Sequence, residues 1–171
     1  MSRQNDILAI YPGSFDPITN GHVSLVRRGL QVFPRVTIAV AESPAKTPLF
    51  SLEERLAMAR EAVAGYPRAS VESFQGLLVD YAAAVGARVI LRGLRAVSDF
   101  EYEFQLALMN RRLNRDIQSV FMMTDYKWLY ISSTIIKEAA RLGGSVEGLV
   151  PPGVERRLRE CFAAAAPGAQ T

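Results

Sequence analysis

One histidine, one cysteine and three lysines occur in this 171-residue chain. A single cysteine, Cys161, excludes an internal disulfide. It falls in an apolar helical pattern and is expected to be a buried structural thiol. No apolar run approaches the ~20 residues that span a bilayer, which excludes a membrane-crossing helix. The first six residues, Met1 to Asp6, include no apolar segment with a cleavage site. No secretory signal is expected, and the cytoplasm is the expected compartment. Net charge is +3 with a pI near 9.2, and no block of lysine and arginine stands out. That charge suits small anionic substrates better than a polynucleotide. No His, Cys and carboxylate cluster has metal-ligand spacing. The chain lacks a G-x-x-x-x-G-K-[ST] loop, a G-x-G-x-x-G turn after its first strand, and a G-x-S-x-G elbow. P-loop, dinucleotide-dehydrogenase and serine-hydrolase chemistries thereby lose support.

Apolar strand-like runs alternate instead with helical stripes. Ile7–Ile10 predicts a first strand that runs into a tight turn at Tyr11-Pro12-Gly13-Ser14. Val23, Val26, Leu30 and Phe33 have helical spacing, and Pro34 stops that helix. Val36–Val40 is β-branched and apolar on both faces, as in a strand covered on both sides. Ser51-Leu52-Glu53-Glu54 is a capping box opening the next helix. Further strands are expected at Ser70–Phe74, Val89–Leu91 and Ser119–Met123. A helix over Ser98–Leu113 is expected to turn Phe100, Phe104, Ala107 and Leu108 inward. A helix capped by Ser132 or Ser133 and stopped at Gly143-Gly144, and another after Pro151-Pro152, complete the pattern. The expected architecture is α/β: one Rossmann-like domain over residues 1–171, with a five-stranded parallel sheet, helices on both faces and a C-terminal helical segment. The tail over 167–171 is expected to fray.

Ligands of such sheets bind beyond the carboxyl ends of the strands. The unusual polar residues all fall on that edge: Ser14 and His22 after the first strand, Lys46 after the second, Gly76-Leu77-Leu78 after the third. Arg92, Gly93 and Arg95 follow the fourth, and Trp128–Thr134 the fifth. His22 sits at a helix start behind Gly21, where free N–H groups and the helix dipole favour a phosphate. Ser132-Ser133-Thr134 offers three hydroxyls at a second helix start. Asp16, before Pro17, reads as a residue that shapes its loop. Glu101 and Glu103 read as a solvated helix face. A crevice of this lining suits a polyphosphate, and phosphoryl or nucleotidyl transfer runs there on positioning and charge neutralisation without a covalent nucleophile.

Three stretches carry a family resemblance. YPGSFDPITNGH, Tyr11 to His22, contains T-x-G-H; RGLRAVSDFEYE spans Arg92 to Glu103; ISSTIIK spans Ile131 to Lys137. Together, and over about Ile7 to Leu158, the chain resembles the bacterial phosphopantetheine adenylyltransferases of the nucleotidyltransferase superfamily. The resemblance implies adenylyl transfer from ATP to 4′-phosphopantetheine, giving dephospho-coenzyme A and pyrophosphate. It implies Mg²⁺ carried with ATP, a homohexamer, feedback by coenzyme A, and neither nucleic acid nor membrane as a partner. His22 would stabilise the transition state at the α-phosphate. ATP would be met by Ser14, Phe15, His22, Gly93, Leu94, Arg95 and Glu103, and by Trp128, Leu129, Tyr130, Ile131, Ser132, Ser133 and Thr134. Phosphopantetheine would be met by Ser14, Lys46, Leu78 and Arg92. Serine at position 14, where the family commonly has threonine, keeps the hydroxyl. A relative with another acceptor and a non-catalytic nucleotide- or coenzyme A-binding module are the alternative readings.

Overall fold

Five strands run parallel in the order β3-β2-β1-β4-β5, with β1 at Leu8–Gly13, β2 at Arg35–Ala41, β3 at Ala69–Phe74, β4 at Val89–Leu94 and β5 at Gln118–Met123. The computed structural model describes residues 7–42 and 47–165; Met1–Asp6, Lys46 and the 167–171 tail lie outside the described residues. The connecting helices are α1 (Asn20–Val32), α2 (Leu52–Val63), α3 (Leu78–Ala84), α4 (Val97–Leu113), α5 (Ser133–Arg141) and α6 (Pro152–Ala165). The expected α/β architecture is therefore present. β1 alternates its side chains between two cores. Ala9 and Tyr11 join a large cluster with residues of α1, α2, α5 and α6. Ile10 joins a smaller one with Val79 and Ala82 of α3. Both faces of the central strands are dry, which is why β1 and β2 need apolar residues throughout.

Strand order reverses between β1 and β4, and the sheet divides there. β1 pairs with β2 along its whole length, to Gly13↔Val40. β4 pairs with β5 likewise, to Leu94↔Met123. β1 and β4 pair at Ala9↔Val89 and Ile10↔Ile90 and then part. Two expectations change accordingly. Tyr11-Pro12-Gly13 is the end of β1 and not a turn, because the partner strand β2 continues alongside it. Arg92 and Gly93 belong to β4 rather than following it. Pro12 has no N–H to give a ladder, so it suits a strand edge facing an opening.

α4 departs furthest from its expected packing. Phe100, Phe104 and Leu108 are 45%, 46% and 53% exposed, and Ala107 is half-buried. The helical period is present, yet the described residues cover that face only in part: Phe100 packs edge-on against Phe121 of β5 at 6.1 Å, and the rest of the stripe stays open. Cys161 is half-buried rather than fully enclosed.

Candidate active site

The division of the sheet opens a cavity of about 500 Å³ at the carboxyl ends of β1 and β4. Its walls come from Tyr11 to Phe15, the start of α1, the end of β4, the start of α4, and the segment from Trp128 to Ser133. A volume of this size holds a nucleotide-scale ligand.

His22 is the third residue of α1 and takes part in its cap. The Thr19 N–H donates to His22 Nδ1 at 3.0 Å, and the Thr19 hydroxyl lies 3.1 Å from the same nitrogen. The His22 N–H in turn donates to Thr19 Oγ1. Because Nδ1 accepts a backbone proton, the neutral ring carries its own proton on Nε2. Burial, helped by the nearby Arg95 charge, lowers the His22 pKa to about 4. The ring packs edge-on against Phe15 with centroids 5.1 Å apart, and Phe15 packs edge-on against Tyr11 at 5.3 Å. His22 is thus a neutral, oriented hydrogen-bond donor at physiological pH.

The arginines of the cavity are held by carboxylates. Arg92 donates through Nε and Nη2 to the two oxygens of Glu103, and through Nη1 to the Pro12 carbonyl at 3.0 Å. Its guanidinium thus bridges the gap where β1 and β4 have parted. Burial disfavours the Arg92 charge, but Glu103 more than compensates and raises its pKa. Arg95 donates through Nε and Nη2 to Asp99 and through Nη1 to the Ile131 carbonyl at 3.3 Å. Burial raises the Asp99 pKa, while the bonds from Arg95 outweigh it and leave the carboxyl below its usual range. Each arginine keeps free N–H groups on the terminal nitrogens, since a guanidinium has five donors. The crevice is therefore less cationic than its residues suggest: Arg92 and Arg95 stand against Glu103 and Asp99.

The remaining expected residues separate into groups. Ser14, Phe15, Gly93, Trp128, Ile131, Ser132 and Ser133 line the cavity with His22, Arg92, Arg95 and Glu103. Ser132 caps α5, accepting from the Ile135 N–H at 3.2 Å, and the Ser133 hydroxyl donates to the Pro17 carbonyl at 2.8 Å. Thr134 lines a smaller adjoining cavity of about 150 Å³ with Ser14, Asp16, Arg55 and Lys137. Leu78 lines another, which Arg92 and Glu103 share. Leu94 is buried, and Leu129 and Tyr130 point to solvent, 41% and 65% exposed. Gly21 lines the cavity beside His22 and has a steric task as well. A Cβ there would lie 3.2 Å from Trp128 Cβ, so glycine lets the short 3-10 helix Tyr126–Trp128 approach α1.

Asp16, Arg55, Asp99, Tyr102, Thr124 and Lys137 have site positions that the sequence reading did not assign. Asp99 had a visible signal, lying four residues after Arg95 at a helix start. Glu103 is not a solvated face; it reaches Arg92 across the cavity wall. Asp16 does shape its loop, accepting from the Leu49 and Phe50 N–H groups at 2.9 and 3.0 Å and from Lys137. Among the described residues, no group of three or more His, Cys, Asp or Glu could hold a metal ion. No helix among them is long and apolar enough to cross a membrane.

Residues 10–139 match the family model described as cytidylyltransferase-like. The chain is 66% identical over 162 residues to a phosphopantetheine adenylyltransferase of Nitratidesulfovibrio vulgaris (strain DP4), covering 95% of this chain and 87% of that protein. It is 65% identical to one of Oleidesulfovibrio alaskensis, covering 95% of each. A third, of Solidesulfovibrio magneticus, is 59% identical over 95% of this chain and 94% of its own.

Proposed function

This chain belongs to the phosphopantetheine adenylyltransferases, within the cytidylyltransferase-like family, and on that premise we propose that it transfers the adenylyl group of ATP to 4′-phosphopantetheine. An oxygen of the acceptor phosphate bonds to the α-phosphorus, the bond from that phosphorus to the β-phosphate oxygen breaks, and pyrophosphate leaves. Dephospho-coenzyme A is the product. The acceptor is already an anion, so the step needs orientation and charge stabilisation rather than a base.

The observation that carries this reading is the neutral His22 ring, fixed by Thr19 so that Nε2–H is free to donate. A donor of that kind suits the α-phosphate oxygens as charge moves toward pyrophosphate. It needs no proton exchange during the reaction. Arg95, Ser132, Ser133 and the start of α5 suit the triphosphate; Arg92, Ser14 and Lys46 suit the acceptor. Gly93, Leu94, Leu129, Tyr130 and Thr134 are assigned to ATP, with Leu94 and the exposed pair contributing main chain. Leu78, in the cavity shared with Arg92 and Glu103, is assigned to the acceptor's apolar arm. Mg²⁺ fits as a passenger on ATP: the cavity carboxylates Asp99 and Glu103 are taken up by arginines, which leaves phosphate oxygens and water as its ligands. Bound there, it would neutralise triphosphate charge.

Residues 1–171 are read as one nucleotidyltransferase domain working in the cytoplasm, with coenzyme A as a feedback ligand. The homohexamer draws support from the open apolar face of α4. Pyrophosphate release, measured with ATP or CTP against phosphopantetheine and nicotinamide mononucleotide, tests the reading. Release is expected with ATP and phosphopantetheine; release only with another pair would replace it, and none at all would favour a binding module.

A further inference from the structure

Arg55 follows the capping box of α2, and its side chain passes under the ends of β1 and β2. It is 4% exposed. Nη1 donates to the Ser14 carbonyl at 2.7 Å and to the Ala41 carbonyl at 3.1 Å. Nε is buried without a partner, and Arg55 forms no ion pair with a described carboxylate. Burying an unpaired guanidinium is costly.

The residue after Ser14 shows what the arginine holds. Phe15 has φ of 45°, a left-handed conformation that side-chain-bearing residues avoid. Such strain persists when the surroundings over-determine it. Here Arg55 fixes the carbonyl before Phe15. Asp16, after it, is fixed by the Leu49 and Phe50 N–H groups and by Lys137. Held this way, the turn leaves Ser14 exposed where the main cavity meets the smaller one.

We infer that Arg55 is a positioning residue for adenylyl transfer, acting through Ser14: it pins the Ser14 carbonyl so that the Ser14 hydroxyl faces the reacting phosphates. The inference rests on the adenylyltransferase reading above. A double-mutant cycle of Arg55→Met and Ser14→Ala tests it by pyrophosphate release. Each single change is expected to lower kcat about tenfold or more, and the double change to fall within about threefold of the worse single. Arg55→Lys, which keeps the charge and N–H donors on a single nitrogen, is expected to recover part of the loss. Should Arg55→Met fail to fold, Arg55→Lys takes its place in the cycle. Losses that multiply, or a Ser14→Ala enzyme close to wild type, would overturn the role of Arg55 in an active enzyme. A wild-type protein that releases no pyrophosphate with phosphopantetheine would overturn the adenylyltransferase reading and this inference together.

Discussion

The Thr19 backbone N–H donates to His22 Nδ1 at 3.0 Å and so decides which ring nitrogen of the chain's sole histidine carries the proton. A single histidine makes this directly measurable. Imidazole NMR signals should titrate near pH 4, against 6.5 for a free ring. Between these values the unfolded chain binds more protons than the folded one. Stability should therefore fall as pH drops from 6.5 toward 4, and His22→Asn should flatten that part of the pH profile. A midpoint at 6.5 in the free protein would contradict the buried, neutral ring.

Replacing His22 by alanine removes a preorganised donor. Turnover is expected to fall about 10²–10³-fold with the KM for ATP changed only a few-fold. Lys46→Ala should act chiefly on the KM for phosphopantetheine. Steady-state kinetics with each substrate varied separates the two effects.

Asp16→Asn should destabilise the fold by about 2–3 kcal/mol at pH 7, measured by urea unfolding, because it strips the charge partner from Lys137 and weakens two backbone bonds. Burial raises the Asp16 pKa, but Lys137 and the two N–H groups pull it below the ordinary 3.8. Its contribution is present above pH 3.8 and is lost as pH falls through the lowered folded value. The gap between wild type and variant should therefore hold from pH 8 to 5 and narrow only in stronger acid.

Leu108→Asp, on the open face of α4, should shift the assembly measured by light scattering toward smaller species. Leu108 is already 53% exposed in the single chain, so the substitution costs the isolated subunit little. An unchanged mass would withdraw the support that α4 lends to the proposed homohexamer.

Strand–helix alternation was legible because β1, β2 and β4 are buried on both sides and their apolar runs are continuous. Capping at Ser51 was legible because it is local; the same local signal leaves Ser132 and Ser133 as candidates for the cap of α5, and the structure selects Ser132. What escaped depends on partners distant in the chain. Pro12-Gly13 looks like a turn until β2 is known to continue beside it. Phe100, Phe104 and Leu108 announce an apolar face, but periodicity says nothing of what covers it. Arg92 and Glu103 lie eleven residues apart, and only the fold sets one against the other. Arg55 carries no local mark at all, since its two carbonyl partners, Ser14 and Ala41, lie distant in the chain at the ends of β1 and β2.

Two paired positions and the Arg92–Pro12 bond join β1 to β4, so the sheet has the form of two leaves on a short spine. Ser14 stands on one leaf; Arg92 and Gly93 stand on the other. A substrate that touches both works as a clasp, and its binding energy is added to an otherwise slender seam. Substrate binding should therefore slow amide exchange most along the facing edges of β1 and β4, and least along the β2–β3 ladder, which is continuous without it.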